Sequence, residues 1–98
     1  MSDPAARLEA LRRRFVARCE EDLAVLERAL ADPGSVEPGQ LRFTAHRLSG
    51  AAGTFGYADL SRVAGEVDDV LVDGRMPGRD QLEALVAEVR AVTAERRL

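Results

Sequence analysis

The stretch AHRLSGAAGTFGYADL, residues 45–60, holds the only histidine of the chain, His46, and three of its eight glycines. Its apolar residues recur at helical spacing, so the stretch predicts the end of one helix, a turn and the start of another. Gly56 lies where the chain must turn and suits a positive φ. Gly50 and Gly53 lie within the helix, where each costs about 1 kcal/mol relative to alanine. They predict either a bare surface beside the histidine or a close contact with another helix.

The helical pattern extends from this stretch in both directions. A first helix is expected from Pro4, with Ser2 or Asp3 as its N-cap, to a break at residues 32–34. A second should run from about Pro38 to residue 52 or 53, and a third from about residue 57 to 72. The residues predicted to face inward are Leu8, Leu11, Phe15, Cys19, Leu26 and Leu30 in the first helix, Leu41, Ala45, Leu48 and Ala52 in the second, and Leu60, Ala64, Val67 and Leu71 in the third.

A fourth helix follows a loop at residues 75–79. Asp80 is expected to be its N-cap, with Glu83 as the capping-box partner. The predicted inward residues are Leu82, Leu85, Val86, Val89 and Thr93. Four amphipathic helices with short connections bury their stripes most simply as an antiparallel up-down four-helix bundle. We therefore expect an all-α fold and a single domain over residues 1–98.

The composition disfavours several classes of function. The 98-residue chain has a formal net charge of −3 and no basic patch interleaved with aromatic residues, which argues against nucleic-acid binding. One cysteine cannot form an intramolecular disulfide, and one histidine with one cysteine is too few for a plausible metal site. The N-terminus lacks the apolar run of a signal peptide, and no segment reaches transmembrane length. We expect a cytoplasmic, monomeric protein that binds no membrane.

Helical geometry predicts that His46 is exposed. The residue lies about 140° around the helix from Leu41, the centre of the inward stripe. Arg42 shares its face one turn before it, and Ser49 and Gly50 share that face one turn after it. A partner's active site could therefore reach the imidazole closely.

Three further side chains are interpreted from their positions alone. Phe43 lies about 60° from His46 around the helix and could contact a docking partner or fold back against a neighbouring helix. Asp22 falls within the first apolar stripe and would pair with a basic residue at a bundle edge. Cys19 also falls there and is expected to be a small core residue rather than a reactive thiol.

The residues His46-Arg47-Leu48-Ser49-Gly50, with Gly56 ten residues after the histidine, resemble the signature of histidine-containing phosphotransfer (HPt) domains. The run AHRLSGAAGTFG is especially similar to the phosphorylated histidine domain of chemotaxis histidine kinases. The resemblance implies a four-helix bundle that relays a phosphoryl group between receiver-domain aspartates, or from a (hybrid) histidine kinase, through phosphohistidine at His46. We expect a phosphoryl carrier and not an enzyme, since nothing resembles a nucleotide site. The partner receiver would supply Mg²⁺, and the chain itself would need no cofactor.

The resemblance also implies roles for residues near His46. Asp68 matches the position of an acidic residue that orients the imidazole, although it is also interpretable as a solvated surface carboxylate. Relatives commonly have a lysine where this chain has Ser49, so Arg42 and Ser49 are the expected contacts of the phosphoryl group. The loss of lysine supports an alternative function, in which the bundle docks receiver or kinase domains without carrying phosphate. A purely structural helical bundle would explain the stripes but not the motif.

Overall fold

In a computed structural model of the protein, the described residues, 3–96, form four α-helices and one 3₁₀ turn at Pro33–Ser35. The α-helices are α1 (Pro4–Ala31), α2 (Pro38–Thr54), α3 (Ala58–Val72) and α4 (Arg79–Arg96). Residues 3–96 contain no β-strand. The predicted all-α class, with four helices, is thereby confirmed.

The start and end of α1 follow the predicted signals. The Asp3 carboxylate accepts a hydrogen bond from the backbone N–H of Ala5 at 3.0 Å, and Pro4 occupies the first helical position. The helix ends before Asp32, whose side chain accepts from the N–H of Gly34 at 3.2 Å. The other predicted cap, Ser2, lies outside the described residues.

The turn between α2 and α3 depends on Gly56. Its φ is +84°, a conformation that an L-residue with a Cβ rarely adopts, as its position in the sequence predicts. The backbone N–H of Tyr57, one residue later, donates to the carbonyl of Ala52 at 2.9 Å. This bond closes the end of α2 in the manner of a glycine C-cap and sends the chain directly into α3.

The predicted cap of α4 is wrong. The helix begins at Arg79, so Asp80 lies in its first turn and does not precede it. The N-cap position is instead occupied by Gly78, whose N–H donates to the side-chain oxygen of Gln81 at 2.9 Å. This is the bond that the third helical residue makes to the N-cap in a capping box, formed two residues earlier than predicted. Glu83 forms an ion pair with Arg79 at 2.8 Å. The helix can start at Arg79 because Gly78 precedes it and the Gln81 side chain accepts the otherwise unpaired N–H of Gly78.

The core contains most of the residues of the predicted stripes, together with five buried residues that were not predicted: Val16, Ala29, Val36, Val63 and Val92. Its buried apolar residues are Phe15, Val16, Cys19, Leu26, Ala29, Val36, Leu41, Ala45, Leu48, Ala52, Leu60, Val63, Ala64, Val67, Leu71, Leu82, Leu85, Val86, Val89 and Val92. Leu30 is half-buried, and Thr93 is buried with its hydroxyl donating to the carbonyl of Arg90. Helix α2 packs mainly against α3, and α1 mainly against α4.

Two residues of the first stripe are not in the core. Leu8 and Leu11 are 55% and 44% exposed, contrary to the prediction. Near the described end of α4, Glu95 lies 3.5 Å from Arg12. Both leucines precede Arg12 on α1, at the end of the helix next to this contact. A regular stripe predicts which face of a helix is apolar, but not how far its neighbours extend.

Aromatic side chains close the same end of the bundle. The Phe15 ring lies 5.5 Å from that of Phe55 and 5.6 Å from that of Tyr57, measured between centroids. The Tyr57 hydroxyl accepts from Arg12 at 2.9 Å and donates to Glu95 at 2.8 Å. The start of α3 is thus tied to both α1 and α4. No helix within residues 3–96 has the length and apolar character needed to cross a membrane.

Candidate functional site

His46 projects from the middle of α2 into solvent. Its side chain is 72% exposed, which confirms the predicted orientation. The neighbouring residues Leu41, Ala45 and Leu48 are completely buried on the opposite side of the helix. Burial of that apolar face fixes the rotation of α2, and the rotation in turn presents the imidazole outward.

Asp68 on α3 lies within hydrogen-bond distance of one nitrogen of this imidazole. Its Oδ2 lies 3.0 Å from Nδ1 of His46, and its side chain is 14% exposed. With its proton on Nδ1, the neutral ring donates to the carboxylate and keeps the lone pair of Nε2 directed outward. The structure thus brings Asp68 to the ring, which removes the interpretation of this residue as a solvated carboxylate without a partner.

Arg42 on α2 forms an ion pair with the same Asp68 carboxylate. Its Nε lies 3.5 Å from Oδ1 of Asp68, and its side chain is 53% exposed. Arg42 and His46 are one turn apart, so both reach across to a single acidic residue on α3. The guanidinium is therefore positioned beside the imidazole while keeping much of its surface in water.

The Ser49 hydroxyl contacts α3. Its hydroxyl donates to the backbone carbonyl of Ser61 at 3.0 Å, and the Ser61 hydroxyl donates to the carbonyl of Ser49 at 2.7 Å. The single proton of the Ser49 hydroxyl is therefore directed at α3. This placement argues against the expected contact between Ser49 and a phosphoryl group, because that contact needs the same proton.

The two helical glycines have different surroundings. A Cβ on Gly50 would meet nothing within 4 Å, so the surface beside His46 is bare there. A Cβ on Gly53 would lie 3.3 Å from Oγ of Ser61. Gly53 is exposed as well, and its lack of a side chain also permits the close approach of α2 and α3. The close-packing interpretation applies to Gly53 and not to Gly50.

Phe43 belongs to the exposed face. It is 63% exposed and does not fold back into the core. Together with Arg42, His46 and Gly50, it forms an outward surface on α2 that combines an apolar ring, a cation and an open approach to Nε2.

Sequence analysis missed the partner of Asp22. Arg47, the residue after His46, forms an ion pair with the carboxylate of Asp22 on α1. The Asp22 side chain is 5% exposed, and its burial raises the pKa of the carboxyl while the hydrogen bond from Arg47 opposes that change. An acidic residue within an apolar stripe is the sequence signal for such a pair, but it does not identify the cation.

The arrangement offers one nucleophile and little that would bind a metal. Within residues 3–96, no group of three or more histidine, cysteine, aspartate or glutamate side chains is placed to hold a metal ion. Cys19 is completely buried, and burial raises the pKa of its thiol to about 12, so it is a poor nucleophile in the folded protein. His46 is the exposed side chain best placed to react.

Comparison with known proteins gives one match. A family model described as Hpt domain matches residues 10–95, which includes all of α2 and α3. Neither the curated proteins nor the solved structures give a match.

Proposed function

The chain belongs to the Hpt domain family, and on this premise we propose that it carries a phosphoryl group in a two-component phosphorelay, with His46 as the phosphorylated residue. The observation that supports this proposal most is the exposure of the His46 imidazole together with its contact to Asp68. The side chain is 72% exposed, and its Nδ1 lies 3.0 Å from Asp68. Exposure gives a partner access to Nε2, and the carboxylate favours the tautomer in which Nε2 has a free lone pair.

The proposed transfer is a displacement at phosphorus. The Nε2 lone pair attacks the phosphoryl group of an aspartyl phosphate on a receiver domain, so a P–N bond forms as the P–O bond breaks. The receiver's aspartate leaves as a carboxylate. Nδ1 keeps its proton throughout, so the phosphorylated ring gains a positive charge that Asp68 stabilises. Transfer to the next receiver reverses these steps.

We assign the cation of this site to Arg42. Its Nε is 3.5 Å from Asp68, and the exposed half of its side chain allows the guanidinium to turn toward a phosphoryl group on His46. The receiver would contribute Mg²⁺ and a lysine, which neutralise the rest of the phosphoryl charge. Phe43 would provide an apolar contact at the edge of the docking surface.

The wider role follows from the same premise. We propose a carrier without a nucleotide site of its own, working in the cytoplasm as a monomeric domain. We also propose an up-down antiparallel order for the four helices. The contacts between residues 46 and 68 and between residues 49 and 61 support opposite directions for α2 and α3.

One observation favours the alternative of an adaptor that docks receivers without carrying phosphate. Ser49 has no charge, and its hydroxyl donates to Ser61. Arg42 must then provide the positive charge from one turn away on the other side of His46. If it cannot, receivers would still bind the exposed face but no stable phosphohistidine would form.

Phosphotransfer profiling separates the two functions. Wild-type protein and His46→Gln are incubated with phosphorylated receiver domains, and the bundle is tested for label that is labile in acid and stable in base. Label on the wild type alone supports the carrier. Receiver binding by both proteins, with no label on either, supports the adaptor. Equal label on a folded His46→Gln variant would exclude His46 as the site.

A further inference from the structure

Helices α2 and α3 contain the same short pattern at their contact. Ser49 and Gly53 are four residues apart on α2, and Ser61 and Gly65 are four residues apart on α3. Each serine donates its hydroxyl to the backbone carbonyl of the other, at 3.0 and 2.7 Å. We refer to these four residues as the serine–glycine clasp.

The clasp depends on the absence of two methyl groups. A Cβ on Gly53 would lie 3.3 Å from Oγ of Ser61, and a Cβ on Gly65 would lie 3.3 Å from Oγ of Ser49. Each serine therefore faces the glycine of the opposite helix. The hydroxyl oxygens cannot move away freely, because each is fixed by its hydrogen bond across the contact. A Cβ at either glycine therefore crowds the facing hydroxyl, and relief of this contact strains the hydrogen bond across the helices or pushes the helices apart.

The clasp lies one turn from the His46–Asp68 hydrogen bond on both helices. His46 is three residues before Ser49, and Asp68 is three residues after Gly65. Residues three apart lie on neighbouring parts of a helix surface. The separation of α2 and α3 at the clasp therefore determines the gap that the Asp68 side chain must span.

That gap suits a short side chain. Aspartate has one methylene between its backbone and its carboxylate, and Asp68 reaches Nδ1 of His46 at 3.0 Å. At a wider separation of the helices, aspartate would fall short and glutamate, with one more methylene, would fit.

We propose that the serine–glycine clasp is a positioning device that sets the distance at which Asp68 orients the His46 ring. Its effect on phosphotransfer rests on the proposed function, whereas its effect on the ring does not. Ser49, Gly53, Ser61 and Gly65 act through the spacing of the two helices and touch no phosphoryl group themselves.

The lone histidine makes the ring directly observable. The ¹⁵N chemical shifts of a single imidazole report which nitrogen carries the proton, and they are compared at a pH where the ring is neutral. Wild type is expected to have the proton on Nδ1. Gly65→Ala should shift the ring toward the Nε2–H tautomer that free histidine favours in water. Gly39→Ala on α2 is the control, because it adds a Cβ to a helical glycine where nothing lies within 4 Å.

Rescue by a longer carboxylate distinguishes spacing from general damage. Adding Asp68→Glu to Gly65→Ala should return the proton to Nδ1, because glutamate spans the wider gap. The double variant Ser49→Ala/Ser61→Ala, which adds no bulk, should lower the Nδ1–H population through loss of both cross-helix bonds. Circular dichroism confirms that each variant stays helical.

Two results would overturn the proposal. One is a folded Gly65→Ala variant whose tautomer equals that of wild type. The other is a shifted tautomer that Asp68→Glu does not restore. Labelling by a phosphorylated receiver is measured on the same proteins and should fall about tenfold in Gly65→Ala, since misplacing the carboxylate that orients a reacting group slows reaction. If wild type takes no label but the tautomers change as expected, the proposed function fails and the clasp stands.

Discussion

Arg47 on α2 forms an ion pair with the buried carboxylate of Asp22 on α1, and it directly follows His46 in the sequence. The two consecutive side chains point to different neighbours, since His46 contacts Asp68 on α3. Helix α2 is therefore held from both sides by a carboxylate. The Asp22 carboxylate of the first contact is buried, whereas the His46 ring of the second is exposed, so their loss should have different consequences.

Replacing Arg47 with methionine should destabilise the fold. The substitution leaves the Asp22 carboxylate buried without its main cation, which typically costs 3–5 kcal/mol, so we expect a loss of about 3 kcal/mol. Urea unfolding measures the change. Arg18→Met is the control, because Arg18 is 54% exposed and 3.8 Å from Asp22, and it should cost less than about 1 kcal/mol. Equal losses from both variants would contradict this account of the pair.

Asp68→Asn should impair phosphorylation of His46 without unfolding the protein. An amide can present its N–H₂ to Nδ1 and favour the tautomer that places the proton on Nε2, where it blocks attack. We expect labelling by a phosphorylated receiver to slow by roughly 100-fold, as for other misplaced catalytic groups. Asp69→Asn, a change at the exposed adjacent residue, should label at the wild-type rate. Normal labelling of Asp68→Asn would remove Asp68 from the mechanism.

Arg42→Gln tests the proposed cation. The variant keeps a hydrogen-bond donor but loses the charge that would neutralise the phosphoryl group, so labelling should slow by roughly tenfold. Arg42→Lys should retain more of the rate than Arg42→Gln. The control is Arg79→Gln at the start of α4, where the arginine pairs with Glu83. A variant that labels as fast as this control would show that the receiver supplies all the positive charge.

The buried thiol of Cys19 should make stability fall in alkali. Burial raises its pKa from an ordinary 9.0 to about 12, so between these values the unfolded chain loses the proton and the folded chain keeps it. The contribution is complete below pH 9 and is lost as the pH rises toward 12, by about 1.4 kcal/mol per pH unit. Urea unfolding of wild type and Cys19→Ala from pH 8 to 11 isolates it. A constant difference between the two proteins would disprove the effect.

The apolar pattern was sufficient to predict the four helices and the exposed face of His46. Leu41, Ala45 and Leu48 are all completely buried, and their common side determines where the imidazole points. Gly56 was also predictable, because the chain needed a positive φ at a turn and glycine adopts one without strain. These are local properties that each helix carries in its own sequence.

What could not be predicted depends on the distance between helices. Ser49 was expected beside the histidine, since angle alone places it there, but a carbonyl on α3 lies within reach of its hydroxyl. Gly53 was expected to leave the surface near His46 open, and the nearby Ser61 on α3 shows that it also allows the two helices to pack closely. The pairing of Asp22 with Arg47 likewise requires knowledge of how α1 and α2 cross.

The exposure of Leu8 and Leu11 has a consequence for the slow motions of the molecule. The first turns of α1 are held by the Asp3 cap and by their own backbone bonds, with little core to resist opening. Their amide hydrogens should exchange with solvent through local fraying, whereas those near Cys19 and Leu26 should need a much larger opening. The first turns of α1 can therefore unwind and reform while α2 and α3 stay folded and keep the His46–Asp68 contact.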